Sequence, residues 1–298
     1  MINILLEGYD LNAEWLYDNL KLYIKPEYKV AVVAFSFRDN RVKNVADWAA
    51  LYSKESGRFY AGIVGAFCSY GIKEENITFL NYFNDTSEQA KNKIQQADIV
   101  YFLGGLPDRM MDRINKFELF EVFKNHKKVA IGYSAGAVVQ LSEYYLSPDA
   151  DYPEFNYYKG IPYINDFYFQ PHYEGNENQI ASKNRILSER KKSVYATHTG
   201  KGAVIVVDGV VKTIGEVSVF RHILFVSLSS KHLEKTLVRK NKSFLVIFAL
   251  RRVILLRSDI RLKPSYIALR AVKGEYNITL CVAQNITNIL QLLAFMLQ

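Results

Sequence analysis

The fold of this chain is decided by one stretch, Lys128-Val129-Ala130-Ile131-Gly132-Tyr133-Ser134-Ala135-Gly136-Ala137. A short apolar run ends in a glycine, an aromatic residue and a serine, and small residues follow. This order is typical of a buried strand that turns sharply into a helix and holds a serine hydroxyl at the carboxyl edge of a sheet. We therefore predict that Ser134 is a nucleophile. A Gly-Ser-Ala turn without chemistry is the competing interpretation.

On both sides of this stretch, up to about residue 215, short apolar runs alternate with amphipathic stretches. The predicted strands are Ile2–Glu7, Lys29–Phe37, Ile77–Leu80, Ile99–Gly105 and Lys128–Ser134. The predicted helices between them are Ala13–Tyr23, Val45–Tyr70, Ser87–Gln96 and Pro107–Asn125. Such alternation predicts an α/β fold with a doubly wound, mostly parallel sheet and helices on both faces. Ligands of such sheets bind at the carboxyl ends of the strands.

The pattern loosens after Ser134. The predicted elements there are a loop at Tyr144–Tyr163, a strand at Asp166–His172, a helix at Asn176–Lys192, a strand at Val194–His198 and a hairpin at Ala203–Gly215 that turns at Asp208-Gly209. We expect this hairpin to finish a domain of residues 1–220. Residues 221–298 would then form a basic, apolar extension of undetermined structure.

The positive charge of the chain belongs to this extension. Of 38 basic and 30 acidic residues, twelve and three respectively lie from His222 to Gln298, which leaves 26 and 27 in the rest of the chain. We therefore expect no nucleic-acid partner for the main domain. The extension could be a helical subdomain, a membrane-surface segment or an addition without a role. Its apolar run Phe244–Leu250 is interrupted by Arg251-Arg252, so we predict no transmembrane segment.

The cysteines and the N-terminal residues suggest the cellular compartment of the protein. Cys68 and Cys281 are too few and too distant to predict a disulfide framework, and we expect both thiols to be buried. The opening apolar run reaches Glu7 without a basic region or a cleavage site, which favours a cytoplasmic protein. No spacing typical of a metal site is present, so we expect neither a metal nor an organic cofactor.

A serine nucleophile needs a base and an oxyanion hole. The predicted strand that ends in Gly104-Gly105 should lie beside the Ser134 strand, so its backbone N–H groups could join that of Ala135 to bind an oxyanion. An ordinary strand-end turn is the alternative. Among the five histidines, His172 and His198 each close a predicted strand and are the candidate bases, whereas His126, His222 and His232 lie elsewhere.

The stretch from Ala97 to Tyr173 resembles the dipeptidase E and cyanophycinase family of serine peptidases. The resemblance lies in the strand that ends in Gly-Gly, in the Gly-aromatic-Ser-Ala-Gly-Ala turn at Gly132–Ala137 and in Gln170-Pro171-His172-Tyr173. It implies a flavodoxin-like sheet and hydrolysis of small, acidic peptides in the cytoplasm. It also implies Ser134 as nucleophile, His172 as base, and N–H groups of Gly105 and Ala135 as oxyanion donors.

The chain departs from this family at two places. Leu106 replaces a further glycine, and Thr199 before Gly200 stands where the family has the acid of its triad. Threonine cannot stabilise an imidazolium, so we assign the acid to Asp149, with Glu174 as an alternative. The arginine implied for binding an acidic substrate falls near Lys183 or Arg185, of which we select Arg185 together with the backbone at Gly104.

Two other functions fit the sequence. An α/β-hydrolase esterase shares the turn around Ser134 and orders its triad as serine, acid and histidine, which His198 with Asp149 or Asp166 would satisfy. A catalytically impaired descendant that acts as a binding protein fits the threonine at position 199. We favour a dipeptidase-like serine peptidase that takes a small peptide, and we make no prediction of its oligomeric state.

Overall fold

Short buried strands alternate with helices along the chain in the computed structural model, which describes residues 1–222. The strands are β1 (Ile2–Leu6), β2 (Val30–Val33), β3 (Ile77–Leu80), β4 (Ile99–Phe102), β5 (Val129–Tyr133), β6 (Glu143–Leu146), β7 (Asn156–Lys159), β8 (Phe167–Gln170), β9 (Ser193–Val207) and β10 (Val210–Phe220). The helices are α1 (Glu14–Leu20), α2 (Val45–Tyr52), α3 (Tyr60–Cys68), α4 (Ser87–Gln96), α5 (Pro107–Lys116), α6 (Phe120–Asn125), α7 (Ala135–Val138) and α8 (Glu177–Glu189).

Five strands form the parallel part of one mixed sheet, in the order β3-β2-β4-β5-β1. β9 adds to β1 in the antiparallel sense, and β10 pairs with β9 as a hairpin. The predicted α/β class with a mostly parallel sheet is therefore confirmed. Residues 1–222 form one compact unit. The predicted extension 221–298 lies, beyond His222, outside the described residues, so the domain boundary stays a prediction.

The parallel strands are apolar on both faces, and each face has its own core. In β2, Ala31 and Val33 pack with the buried residues of α4, α5 and α6, whereas Val30 and Val32 pack with those of α1, α2 and α3. Successive side chains of a strand point to opposite faces, so one run of four buried residues serves two cores. The prediction of helices on both faces is confirmed.

Helix boundaries differ from the prediction where the backbone breaks. The predicted helix 107–125 is two helices, because Glu118 between them has a φ of +54°. The predicted helix 45–70 is likewise interrupted between Tyr52 and Tyr60. Cys68 is exposed, because it follows the buried Phe67 and so points away from the core, and the expectation of a buried thiol was wrong there. Cys281 lies outside the described residues.

The predicted loop at 144–163 contains a two-stranded sheet of β6 and β7. Its tyrosines were the signal that the sequence analysis passed over: Tyr144 stacks on Tyr158, with ring centroids 5.5 Å apart, and Tyr145 stacks on Phe155 at 5.7 Å. The prolines that suggested a loop lie outside both strands, where no ladder hydrogen bond is lost.

The β5-to-α7 turn is possible only with glycine at two positions. A Cβ on Gly132 would overlap the carbonyl of Gly136, and a Cβ on Gly136 would overlap the Phe102 carbonyl of β4. The turn is therefore pressed against the neighbouring strand with no room for a methyl group. Packing this close fixes the position of the residue at the apex, Ser134.

β6 is tied to the end of α8 by an ion pair. The Arg190 guanidinium donates to the Glu143 carboxylate at 2.7 Å and lowers the pKa of that carboxyl below its ordinary value of 4.5, with help from the Tyr168 hydroxyl. A carboxyl with a lowered pKa in the folded state stabilises the fold above its ordinary pKa and loses that contribution as the pH falls.

Gly136→Ala should lower the free energy of unfolding by more than about 2 kcal/mol, because the added methyl group meets backbone of β4. The matched control is Gly62→Ala in α3, where a Cβ would meet nothing within 4 Å. There we expect a gain of up to about 1 kcal/mol from helix propensity. Urea denaturation of both variants tests this, and equal stabilities would contradict the account of the turn.

Glu143→Gln should lower the free energy of unfolding at pH 7 by less than about 1 kcal/mol, since both partners of the ion pair are partly exposed. The difference from the wild type should shrink as the pH is lowered through 4.5. Denaturation at several pH values measures it. A difference that grows toward acid pH would show that Glu143 does not act as an ionised partner of Arg190.

Candidate active site

The residues that end the parallel strands lie along one edge of the sheet. Glu7 follows β1, Ser36 lies shortly after β2, Gly104 and Gly105 follow β4, and Ser134 follows β5. Parallel strands in register place such residues side by side. The side chains that could take part in a reaction therefore come from loops that a rigid sheet holds in place.

Ser134 has a backbone conformation rare outside glycine, with φ +51° and ψ −116°. Its backbone N–H donates to the Leu6 carbonyl at the end of β1, at 3.0 Å, and its carbonyl accepts from Val138 at 3.2 Å. Conformations of this kind cost about 1–3 kcal/mol and persist where the surroundings enforce them, as they do at many functional sites. The fold thus holds this serine at the apex of the turn.

His172 lies against the serine. Its Nε2 is 3.0 Å from Ser134 Oγ, the distance of a hydrogen bond between a base and a nucleophile. The loop that carries His172 is fixed from α8, because the Gln179 side chain donates to the His172 carbonyl at 2.8 Å and accepts from the backbone of Glu174 and Gly175. His172 itself has a φ of +54°.

The other ring nitrogen of His172 faces a carboxylate that the sequence analysis did not select. Nδ1 lies 3.6 Å from Oε1 of Glu7, and only 5% of the Glu7 side chain is exposed. The same Oε1 accepts the backbone N–H of Gly200 at 3.0 Å, while the buried Oε2 has no hydrogen-bond partner. Ser134, His172 and Glu7 therefore stand in a row across the sheet edge.

The ends of β1 and β8 meet because both strands border β9. Gln170 at the end of β8 is paired with Ala196, and Leu6 at the end of β1 is paired with Ala203. The two strands run in opposite directions along β9, so their ends converge on its residues 197–202. Tyr173 N–H donates to the Thr197 carbonyl there at 2.9 Å, and Glu7 N–H donates to the Gly202 carbonyl at 3.1 Å.

The Gly104-Gly105 loop is held by two hydrogen bonds with one residue, Ser36. The Ser36 hydroxyl donates to the Gly104 carbonyl, and the Leu106 N–H donates to the Ser36 carbonyl at 2.8 Å. Gly105 has a φ of +139°, which other residues rarely adopt. Ala135 is the first residue of α7, so its N–H lies among those that a helix leaves without an internal partner.

Asp149 lies in the connection between β6 and β7, where it stabilises its own loop. Its Oδ1 accepts the backbone N–H groups of Asp151 and Tyr152 at 2.8 and 2.9 Å, and Asp151 forms an ion pair with Arg38. The structure does not bring the Asp149 carboxylate to His172: within residues 1–222, the carboxylate in contact with that ring is Glu7. Glu174 is exposed.

Arg185 does not join the serine and histidine either. Its guanidinium is paired with Glu189 at 2.8 Å, one turn along α8, and lies over the ring of Phe155. The alternative, Lys183, has its ammonium 4.2 Å from the centre of the Phe220 ring, and partial burial lowers the pKa of that ammonium. Both cationic side chains therefore have partners elsewhere: Arg185 contacts α8 and the residue before β7, and Lys183 contacts the end of β10.

The remaining described histidines have other surroundings. His198 Nε2 is 2.9 Å from the Ser218 hydroxyl of β10, His222 contacts the Leu187 carbonyl of α8, and His126 contacts the Val129 carbonyl at the start of β5. His232 lies outside the described residues. Within residues 1–222 no group of three or more potential ligands could hold a metal ion, and no helix of this part is long and apolar enough to cross a membrane.

Two solved structures are similar to this chain in fold. A provisionally named peptidase E protein from Listeria monocytogenes EGD-e shares 14% identity, with 73% of this chain and 98% of that chain covered and a TM-score of 0.50. A peptidase from an acI-B1 Actinobacterium shares 15% identity, with 74% and 91% covered and a TM-score of 0.52. Among curated proteins, none matches this sequence.

The sequence also matches the model of a known protein family. The model of peptidase family S51 matches residues 49–214, which is more than half of the chain and includes the Gly-Gly loop, the turn at Ser134 and His172. The resemblance predicted from those motifs is thereby confirmed. The chain belongs to peptidase family S51, a family of serine peptidases.

Proposed function

We propose that this chain hydrolyses amide bonds in small peptides through an acyl-enzyme, with Ser134 as nucleophile and His172 as general base. The observation that carries the proposal is the 3.0 Å distance between Ser134 Oγ and His172 Nε2. Two residues 38 positions apart meet at the edge of a sheet, each in a strained backbone conformation. A structural hydrogen bond on the surface would not require that strain.

The chemistry follows from the two side chains. His172 Nε2 takes the hydroxyl proton as Ser134 Oγ forms a bond to the carbonyl carbon of the peptide, whose π electrons move onto its oxygen. When the tetrahedral intermediate collapses, the carbon–nitrogen bond breaks and the imidazolium gives its proton to the leaving amine. Water repeats the sequence and releases the acyl group, so the serine and the neutral histidine are restored.

The negative oxygen of the intermediate needs donors that are in place beforehand. We assign this role to the backbone N–H groups of Gly105 and Ala135, since both border Ser134 at the same edge. α7 has only four residues, so its dipole adds little to these two donors. The Ser36 contacts keep the Gly105 backbone in place and so reduce reorganisation during the reaction.

Membership of a peptidase family implies a peptide substrate, and we propose that this peptide is small. The preference for an acidic side chain that the sequence resemblance implies depended on Arg185, which is paired with Glu189. We therefore do not extend the proposal to acidic substrates. A cytoplasmic location also stays a prediction of the sequence alone.

A fluorophosphonate probe tests the proposal before any substrate is known. The wild type should be labelled on Ser134, Ser134→Ala should not be labelled, and His172→Ala should react at least about 10³-fold more slowly, because the hydroxyl loses its base. His198→Ala is the matched control and should label normally. Mass spectrometry of the labelled peptide and labelling rates are the measurements.

Two results would contradict the proposal. A folded wild type that is not labelled would show that Ser134 is not activated. Labelling that persists in His172→Ala but is lost in His198→Ala would assign the base to the other histidine and would favour the esterase interpretation. Hydrolysis of dipeptides against simple esters then separates the two reactions.

A further inference from the structure

We infer that Glu7 is the carboxylate that positions His172, the role that the sequence analysis assigned to Asp149. The inference rests on the proposed function, because a positioning carboxylate matters only if His172 acts on Ser134. It also resolves the departure at Thr199: the chain lacks an acid at that position and has a buried one directly after β1. The Glu7 carboxylate faces the ring of His172, so it acts through the histidine.

The placement of Glu7 is the first argument. β1 is the strand next to β5, and its register puts Leu6 beside Tyr133. The residues after them, Glu7 and Ser134, are therefore neighbours at the sheet edge. β8 reaches the same point from the opposite direction along β9 and delivers His172 between them. The topology thus creates the order carboxylate, imidazole, hydroxyl from three different strands.

The second argument is the local link to position 199. Oε1 of Glu7 accepts the backbone N–H of Gly200, the residue that directly follows Thr199. The carboxylate therefore lies at the backbone position where the sequence resemblance leads one to expect an acid.

The burial of Glu7 is the third argument. Its side chain is 5% exposed, and Oε2 is a buried oxygen without a hydrogen-bond partner. A buried carboxylate of this kind is costly unless a positive charge is nearby. In the described part of the chain, the ion-pair partner within 4 Å of Glu7 is the His172 ring, which becomes positive during the reaction. The buried carboxylate is thus placed to stabilise the imidazolium that forms in the proposed reaction.

The distance between Nδ1 and Oε1, 3.6 Å, is longer than a hydrogen bond. Catalytic hydrogen bonds are often long in the free enzyme and shorten when substrate binds. His172 is 57% exposed and its ring can shift by the small amount required. When the bond closes, Nδ1 donates to Glu7, and Nε2 is left without a proton and faces Ser134 Oγ.

Glu7→Gln separates this role from a structural one. The glutamine carbonyl can still accept from Gly200 and face Nδ1, because one oxygen, Oε1, lies against both groups, but the side chain no longer carries the negative charge that stabilises the imidazolium. The corresponding change in a serine protease triad costs about 10⁴ in turnover. We expect fluorophosphonate labelling to slow by at least about 10²-fold while Tm stays the same or rises, because a buried charge is removed.

Glu143→Gln is the matched control, since it makes the same substitution at a glutamate that is paired with Arg190 and not with His172. It should show the reverse pattern, with a slightly lower Tm and an unchanged labelling rate. Glu7→Asp keeps the charge and should retain more labelling than Glu7→Gln. The conservative variant thus distinguishes loss of charge from loss of packing.

The tautomer of His172 gives a readout that does not depend on activity. Two-bond ¹H–¹⁵N spectra of the ring, assigned by comparison with His172→Ala, should show the proton on Nδ1 in the wild type and a shift toward Nε2 in Glu7→Leu, which removes the acceptor that faces Nδ1. Labelling of Glu7→Gln within threefold of the wild type, or a tautomer that is unchanged in Glu7→Leu, would overturn the inference. A wild type that does not label would instead overturn the proposed function, whereas the tautomer would still report on Glu7.

Discussion

The turn at Ser134 is the constraint on which the site depends. Its backbone packs directly against β4, where Gly136 lies against the Phe102 carbonyl, and it is tied to β1 by the hydrogen bond from Ser134 N–H to the Leu6 carbonyl. The strain of the φ of +51° is maintained by this packing. A hydroxyl fixed in this way can be met by a base from another strand with little loss of entropy.

The second contribution comes from the antiparallel side of the sheet. The parallel strands place Glu7, Gly105 and Ser134 along one edge of the sheet, whereas His172 has to reach that edge from β8, outside these five strands. β9 solves this by pairing with β1 through its second half and with β8 through its first half. His172 therefore approaches the edge against the direction of β1, and its two ring nitrogens face different strands.

The sequence predicted the parts that depend on local pattern. β3 and α4 match the predicted bounds to the residue, and Asp208-Gly209 forms the hairpin turn, with φ of +48° and +84°. The turn motif also selected Ser134, and the resemblance to a serine peptidase family selected His172 over His198; the structure brings Ser134 and His172 together. Local pattern did not predict β6 and β7, because their stabilisation comes from stacked tyrosines of two strands with proline-containing segments around them.

The sequence analysis did not select Glu7, and the reason is physical. In the sequence it is the polar residue that ends an apolar strand, which is unremarkable, and 165 positions separate it from His172. Only the head-on approach of β1 and β8 along β9 makes them neighbours. The available signal was that an acid directly after the first strand of a parallel sheet should lie at the same edge as Ser134. Asp149 was preferred because it is nearer to Ser134 along the chain.

A crystal structure of the fluorophosphonate adduct tests the central claim most directly, because the phosphonyl group mimics the tetrahedral intermediate. The account predicts that phosphorus is bonded to Ser134 Oγ and that the phosphonyl oxygen lies about 2.7–3.1 Å from the N–H groups of Gly105 and Ala135. It also predicts that the His172 ring lies between Ser134 and Glu7. A phosphonyl oxygen directed away from both N–H groups, or a His172 ring turned away from Ser134, would contradict it.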